Sequence, residues 1–476
     1  MNVFEKKGVL KILICASFMC AYITFTAVLP YDAANAGEKS GQCTKVGLSY
    51  GSSVPYSVVR ADSGLGMARL EEGKLVSADS PANGEAELIL RYVGDSIAIE
   101  DFYGNTLDSM PCDGSVCFTS LKYFTLNEFV IYEGKEYRGG ITVVPNSSGG
   151  VNTVNVLDTE DYVKGVLNRE IGHTGSIEAL KAQAVTARSY VVVNSGRHSS
   201  DGFSVCTGNH CQCYEGVSGE YEATNRAVDE TAGMLMYYEG VPVAGYYFAN
   251  SGGATENSED VWGSEIGYLR GIVDEFSPDY EWEVSLTESQ IEESMSGYGI
   301  GEVESVTLEK VNASGYVSAV TVKGSDGSVT VERDRIRSMF GTSLKSRNFT
   351  IDTEGGTLIP GEDSGGAYYA FDGVNRSILG RAFSVLTSSG TGNLELDGAS
   401  VLDGEGEIYA AHYTGQVQPS GGASVVFHSG SDKLIIYGKG YGHGVGMSQD
   451  GALAMGVEGY SFTDILKYYY TDIEVK

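Results

Sequence analysis

Glu170 is the residue whose type and spacing best fit acid–base chemistry in this sequence. It follows Val163 by seven residues, Val166 by four and Leu167 by three, so a helix would place it on the same face as these apolar side chains. Burial disfavours a carboxylate and raises its pKa, as a general acid near neutral pH requires. The alternative is a glutamate at a frayed helix end that turns to water, or one held by an arginine.

Two helices are predicted to position this carboxylate, because residues 158–195 contain no proline and show apolar positions at helical spacing. Asp158 is a suitable N-cap for the first helix, and Ser176 for the second. Arg188 lies near the inner end of the second helix. Its guanidinium could orient Glu170 or hold a substrate oxygen. The alternative is that it faces solvent or caps carbonyl groups, like most arginines at helix ends.

Cysteines form a second group that could do chemistry. Six of them follow residue 36: Cys43, Cys112, Cys117, Cys206, Cys211 and Cys213. The pair Cys112 and Cys117 flanks Asp-Gly-Ser-Val, a pattern typical of a hairpin turn that a disulfide could staple. The segment CTGNHCQC also contains a histidine, so it is open to a disulfide or to a metal ion.

Residues 1–36 have the order of an export signal, since three lysines precede an uncharged apolar stretch over residues 12–29. The tripeptide from Ala34 to Ala36 fits the small-x-small pattern of a signal peptidase site. The alternative is an uncleaved membrane anchor, because about 18 apolar residues can just span a bilayer. Both interpretations predict an extracytoplasmic protein.

The composition narrows the classes of partner. A formal net charge of −31 repels phosphate backbones and argues against nucleic acid. An uncharged polysaccharide is compatible with this charge. The 31 tyrosines offer faces on which sugars stack, although tyrosine is also an ordinary strand residue.

We predict an α+β fold with mostly antiparallel sheets and a catalytic helix pair, multi-lobed around a cleft. Short alternating segments such as Glu87 to Val93 predict a β-rich N-terminal lobe over residues 37–136. Residues 353–436 are rich in Gly and Ser and have the composition of an inserted lobe.

Several separate blocks of the sequence resemble one family. The blocks are YVKGVLNREIG with EALKAQAVTARSY, then CQCYEG, then SGGATENSEDVWG with YLRGIVD, and finally GKGYGHGVGMSQDGA. They follow the order found in the stage II sporulation protein D and amidase-enhancer family, whose members include lytic transglycosylases of the cell wall. The resemblance implies a catalytic core over residues 137–352 that residues 437–476 complete.

This resemblance implies that Glu170 is the catalytic acid and base and that Arg188 accompanies it. The family's Tyr-x-Lys cleft motif matches the segment from Tyr268 to Arg270, where arginine replaces lysine. Positive charge is kept by this replacement, but the donor geometry changes. We therefore expect Tyr268 and Arg270 to bind substrate.

Five further residues are predicted to contact substrate: Gln212, Tyr214, Ser251, Trp262 and His443. The first two belong to the family's Gln-x-Tyr-x-Gly motif. Trp262 can be an apolar platform for a sugar, or one buried tryptophan beside a turn. His443 lies among alternating glycines that allow close backbone approach, so this segment either lines the cleft or packs against the catalytic helices.

Some members of the family hold zinc with a cysteine and a histidine just before the Gln-x-Tyr-x-Gly motif, and Cys206 and His210 match those positions. Thiolate and imidazole are good zinc ligands, and Cys211, a carboxylate or water would complete a tetrahedral structural site. The alternative is a disulfide from Cys206 to Cys211 or Cys213, with His210 exposed.

The function implied by the resemblance is a lytic transglycosylase that cleaves the MurNAc–GlcNAc bond of peptidoglycan glycan strands and leaves 1,6-anhydroMurNAc ends. Such a reaction requires one tuned carboxyl and no cofactor in the chemical step, whereas a hydrolase uses two carboxyls. The expected substrate is a strand freed of stem peptides, and a role in sporulation is open. The alternatives are a wall-binding enhancer of an amidase that is not itself catalytic, and a muramidase that adds water.

Overall fold

The protein is described by a computed structural model. It covers the backbone of short strands between residues 368 and 412, and the following residues in full: 42–312, 314–341, 344–359, 423–428, 430 and 432–476. Residues 1–36, predicted to be a signal or an anchor, lie outside the described residues, as does most of the predicted inserted lobe. Within the described part, no helix is long and apolar enough to cross a membrane.

The N-terminal part consists of strands in which inward-facing apolar residues alternate with polar ones. Their bounds are β1 Cys43–Ser49, β2 Tyr56–Arg60, β3 Leu65–Glu71, β4 Lys74–Ser77, β5 Glu87–Val93, β6 Ser96–Glu100, β7 Thr106–Pro111, β8 Val116–Ser120, β9 Val130–Tyr132, β10 Lys135–Tyr137, β11 Gly140–Pro145 and β12 Val151–Asp158; a short helix, α1, spans Tyr123–Leu126. One sheet has the order β1-β12-β11-β8-β3-β4, and a second has the order β10-β9-β2-β5-β6-β7. Strand β12 is buried along its whole length and leads directly into the first long helix.

The predicted helix pair is confirmed. Helix α2 spans Thr159–Ile171, and its N-cap, Asp158, accepts a hydrogen bond from the Glu160 amide. Helix α3 spans Ile177–Val193, and its N-cap, Ser176, accepts one from the Ala179 amide. The two helices pack together against a shared core with the N-terminal strands.

Short elements surround the exposed side of this pair. They are β13 Val205–Cys206, α4 Glu222–Glu230, β14 Met236–Tyr238, β15 Val241–Pro242, β16 Tyr247–Phe248 and α5 Ser258–Trp262, with 3-10 turns at Ser199–Asp201 and Gly216–Gly219. Strand β13 extends the first sheet by pairing in parallel with β1. Strand β16 is short and begins at Tyr247, a residue close to Glu170.

A second core lies among antiparallel strands of the C-terminal half, around Trp282, Val306, Phe349 and Ile436. The elements are β17 Glu281–Thr287, α6 Glu288–Met295, β18 Val303–Val311, β19 Val317–Gly324, β20 Gly327–Glu332, β21 Asn348–Glu354, β22 Thr357–Ile359, β23 Tyr368–Phe371, β24 Arg376–Leu379, β25 Leu386–Thr387, β26 Gly390–Thr391, β27 Ser400–Leu402, β28 Ile408–His412, β29 Ser424–Val426 and β30 Lys433–Lys439, with 3-10 turns at Ser296–Tyr298 and Arg333–Ser338. They form sheets with the orders β17-β30-β21, β20-β19-β18-β29-β22, β24-β23-β28-β27 and β25-β26.

The last elements return to the helix pair. They are β31 Met447–Ser448, α7 Gln449–Val457, α8 Phe462–Tyr469 and β32 Glu474–Val475. Helices α7 and α8 pack on α3, strand β31 pairs in parallel with β16, and β32 pairs with β14. Helices combined with mostly antiparallel sheets confirm the predicted α+β class.

Candidate functional site

Glu170 lies near the C-terminal end of α2 with its carboxyl half-buried. One carboxyl oxygen accepts a hydrogen bond from the Cys213 amide at 2.6 Å, and the carboxyl is also hydrogen-bonded to the Tyr247 hydroxyl. Burial raises the pKa of Glu170, while these two donors act in the opposite direction because they stabilise the ionised form. The group is therefore placed to exchange a proton closer to neutral pH than an exposed glutamate is.

A line of hydrogen bonds reaches Glu170 from the interior. The Tyr162 hydroxyl donates to the Gln212 side-chain oxygen at 3.1 Å, and the Gln212 amide nitrogen lies 3.1 Å from the Tyr247 hydroxyl. Gln212 is 1% exposed. Its side chain thus supports Tyr247 inside the protein, whereas the sequence predicted direct contact with substrate.

Arg188 does not contact Glu170. It is buried within α3 and forms a two-pronged ion pair with Glu160, with its Nε at 2.8 Å and its Nη2 at 2.6 Å from the two carboxylate oxygens. Its guanidinium also donates to the carbonyl groups of Val228 and Met234. Arg188 joins α2, α3 and the end of α4, because these partners come from three different segments.

Three other predicted substrate contacts are also turned inward. The Tyr214 hydroxyl donates to the Asn155 side chain at 2.7 Å, and the Tyr268 hydroxyl donates to the Ala244 carbonyl at 2.9 Å. Ser251 is fully buried, and its hydroxyl accepts from the Gly253 amide. These three hydroxyls are hydrogen-bonded to groups of the protein, whereas the sequence predicted contacts with substrate.

Arg270 stands nearer the surface than its neighbour Tyr268. Its guanidinium is engaged by the carboxylate of Glu259 and lies 3.6 Å from that of Glu265. The two residues of the predicted Tyr-x-Arg motif therefore point to different environments. A substrate anion would have to compete with Glu259 for this arginine.

Trp262 and His443 do come together, in an aromatic group with Tyr246 and Phe248. The Trp262 ring lies 4.8 Å from the Tyr246 ring and 5.5 Å from His443, and His443 lies 5.5 Å from Phe248. Trp262 is 39% exposed, so it has a free face on which a sugar can stack. Burial lowers the pKa of His443 to about 4, which leaves the imidazole neutral at neutral pH.

Four possible metal ligands meet in the loop before Gln212. The ligand atoms of His198, Cys206, His210 and Cys211 all lie within 4.8 Å of one another. Two imidazole nitrogens and two thiols are a donor set that suits a tetrahedral zinc ion. The sequence predicted Cys206 and His210, and it named Cys211 as one way to complete the set.

His198 is the ligand that sequence reasoning missed. It precedes Cys206 by eight residues, outside any short metal motif, and its Nε2 lies 3.2 Å from the His210 Nδ1. Its Nδ1 lies 3.3 Å from the Asp201 carboxylate, a partner that commonly orients metal-binding histidines.

Free thiols among the described residues include Cys112, Cys117, Cys206, Cys211 and Cys213. This applies to Cys206 and Cys211 of the metal-ligand cluster and to the pair Cys112 and Cys117, for which a hairpin disulfide was considered. Cys213 donates from its thiol to the Asn209 side chain at 2.8 Å. The loop is thus free to use thiols as ligands.

Two family models match parts of this chain. A family model described as Stage II sporulation protein matches residues 147–238, which include Glu170 and the metal-ligand cluster. A second model, described as a domain of unknown function, matches residues 268–375.

Similar curated proteins come from three bacteria. The amidase enhancer of Bacillus subtilis is 28% identical over 77% of this chain and 46% of its own length. An uncharacterized protein of Brachyspira hyodysenteriae is 30% identical over 52% of this chain and 67% of its own length. The stage II sporulation protein D of Bacillus amyloliquefaciens is 26% identical over 68% of this chain and 76% of its own length. The chain thus spans just under half of the amidase enhancer and most of the other two relatives.

Proposed function

Because the chain belongs to the stage II sporulation protein D and amidase-enhancer family, we propose that it is a lytic transglycosylase of peptidoglycan glycan strands, with Glu170 as acid and base. The supporting observation is the environment of that carboxyl. It is half-buried at a helix end, has a raised pKa, and forms no ion pair with the described residues. Such a group holds its proton to a higher pH than an exposed glutamate does and can release it again.

The proposed reaction uses this carboxyl twice. Protonated Glu170 donates its proton to the glycosidic oxygen between MurNAc and GlcNAc, and the bond from that oxygen to C1 of MurNAc breaks as an oxocarbenium-like centre develops. The Glu170 carboxylate then accepts the proton of the muramic 6-hydroxyl, whose oxygen bonds to C1. The products are a free GlcNAc 4-hydroxyl and a 1,6-anhydroMurNAc end, with no water consumed.

The aromatic group is proposed as the sugar-binding surface, since Trp262 has an exposed face and His443 is neutral. Neutral faces suit an uncharged polysaccharide in a chain with a net charge of −31. We propose that the substrate is a glycan strand without stem peptides and that the protein acts outside the cytoplasm. Its proposed role is remodelling of the cell wall in sporulation or in growth.

Mass spectrometry of digested glycan strands tests the proposal. Wild-type protein should release fragments with anhydro ends from strands stripped of peptides. Glu170→Gln keeps the side-chain shape but removes the titrating proton, so anhydro-product formation should fall by about 10²- to 10⁴-fold. Glu222→Gln, at an exposed site in the first turn of α4, is the matched control and should leave the rate unchanged.

Each alternative predicts a different result in that digest. Fragments heavier by one water, with reducing muramic ends, would identify a muramidase. No cleavage by any variant, combined with faster release of stem peptides when an amidase is added, would identify a non-catalytic enhancer, the role that the name of the Bacillus subtilis relative states. Undiminished cleavage by Glu170→Gln would refute the role of Glu170.

We also propose that the metal-ligand cluster holds a structural zinc ion. Its four side chains supply the whole tetrahedron, so no position is left for an activated water. Cys211 precedes Gln212 and the Cys213 amide that bonds Glu170. By fixing this loop, the cluster holds the donors that face the carboxyl.

A further inference from the structure

We propose that Tyr247 is a positioning residue for Glu170 and that the C-terminal glycine segment, residues 438–446, keeps it in place. This inference rests on the proposed function, because it assigns a partner to the carboxyl that carries the reaction. Tyr247 lies 77 residues after Glu170 in the sequence, and no spacing pattern connects the two. The structure brings the Tyr247 hydroxyl into a hydrogen bond with the Glu170 carboxyl.

The direction of this hydrogen bond follows from its neighbours. The Gln212 amide nitrogen lies 3.4 Å from the Ala187 carbonyl oxygen, which can only accept. The NH2 group of Gln212 therefore faces that side, and its second hydrogen points to the Tyr247 oxygen 3.1 Å away. The Tyr162 hydroxyl donates to the other end of the same amide. Tyr247 accepts from Gln212 and is left with its own hydrogen to donate to Glu170.

The position of Tyr247 depends on the far end of the chain. Strand β16 pairs in parallel with β31, with Tyr247 opposite Met447. Gly446 precedes that strand at a φ of 81°, and a side-chain carbon there would collide with the Tyr246 carbonyl. A carbon at Gly442 would meet the Phe248 side chain at 2.5 Å. The glycines thus allow the two backbones to approach closely enough to form the pair.

The donors around Glu170 oppose the effect of its burial. The titratable and charged groups that face it are Arg169 on its own helix, Tyr162, Cys213 and Tyr247. Burial favours the protonated acid, whereas the Tyr247 hydroxyl and the Cys213 amide favour the carboxylate. Burial has the larger effect, so the acid is favoured while the carboxylate still keeps two donors, and the two halves of the reaction require one form each. The same hydrogen bond also fixes the direction in which the carboxyl points.

The pH dependence of kcat/KM for Tyr247→Phe tests this role. The reaction begins with protonated Glu170, so activity falls as the pH rises through the pKa of that group. Loss of the hydroxyl removes a donor to the carboxylate, which raises the pKa and moves the alkaline limb to higher pH. The rate at the wild-type optimum should fall by about 10- to 100-fold, the effect of losing one hydrogen bond to a charged group.

The control is Tyr468→Phe. Tyr468 lies on α8, and its hydroxyl donates to the Val273 carbonyl. This substitution should leave the pH profile unchanged. Gln212→Met removes the group that orients Tyr247 and should move the alkaline limb in the same direction by a smaller amount. A lower rate with an unmoved limb in both Tyr247→Phe and Gln212→Met would mean a purely structural role and would overturn the proposal.

Direct titration separates this proposal from the proposed function. The Glu170 carboxyl carbon can be followed by carbon-13 NMR in glutamate-labelled protein and assigned by its absence in Glu170→Gln. Tyr247→Phe should raise the titration midpoint even if the wild type cleaves no glycan, in which case only the enzymatic function fails. An unchanged midpoint would refute the role of Tyr247 even in an active enzyme.

Discussion

The two ends of helix α2 carry glutamates in opposite situations. Glu160, in the first turn, is held by both prongs of Arg188 and by the Gly233 amide at 3.1 Å. Glu170, in the last turn, has two neutral donors and forms no ion pair with the described residues. The helix dipole favours a negative charge at the first end and disfavours it at the second. One glutamate is thus held in an ion pair that joins two helices, and the other forms no ion pair with the described residues.

This difference explains the position of Arg188. Family resemblance placed it beside the catalytic acid, and it does lie on the neighbouring helix. A guanidinium in contact with Glu170 would stabilise the carboxylate and work against the acid. At the other end of α2 the same guanidinium strengthens the frame without affecting that carboxyl.

Glu160→Gln should lower the stability of the fold and thereby test the difference between the two glutamates of α2. It leaves Arg188 buried without its counter-charge, which should lower the free energy of unfolding by about 3–5 kcal/mol. Urea unfolding measures the loss, and cleavage per folded molecule should stay near the wild-type level. A large loss of specific activity without a loss of stability would place Arg188 and Glu160 in the reaction after all.

If the metal-ligand cluster holds the proposed zinc ion, its removal should affect only the end of α2 that carries Glu170. A chelator should free the loop from residue 206 to 213, displace the Cys213 donor, and reduce cleavage by up to about 100-fold. Metal analysis should give one zinc per chain, and Cys206→Ser should reproduce the loss. Labelling of Cys206 and Cys211 by a thiol reagent only after chelation would support the assignment, whereas a disulfide between them would contradict it.

The smallest expected effect is on the pH dependence of the free energy of unfolding. Because burial raises the pKa of Glu170, the folded state binds this proton more tightly than the unfolded chain does. Glu170 therefore stabilises the fold fully below its unfolded-state pKa, and this contribution is lost as the pH rises through the higher folded-state pKa. The difference in unfolding free energy between wild type and Glu170→Gln should change over that window. A flat difference would mean that the carboxyl is solvated like any surface glutamate.

Local patterns in the sequence predicted the local elements well. The caps at Asp158 and Ser176, both long helices and the apolar stripe leading to Glu170 are confirmed, because these features depend on residues within one or two turns. The boundaries of the lobes remain predictions.

Long-range pairings account for what the sequence did not show. Tyr247 lies on β16, which pairs with the distant strand β31, and Cys206 lies on β13, which joins the first sheet beside β1. Arg188 could be placed on a helix, but the choice between Glu160 and Glu170 depends on how α2 and α3 cross. None of these contacts has a periodic signature within one segment.

The parallel pairing of Tyr247 with Met447 has a consequence for when activity can arise. The surroundings of Glu170 come from segments that are distant along the polypeptide, and a strand that closes so long a loop is expected to dock late in folding. A nascent chain that ends before Met447 can contain Glu170, helices α2 and α3 and the metal-ligand cluster. Tyr247 then still lacks its partner strand β31. If the protein is the proposed transglycosylase, its full activity would then require synthesis through β31.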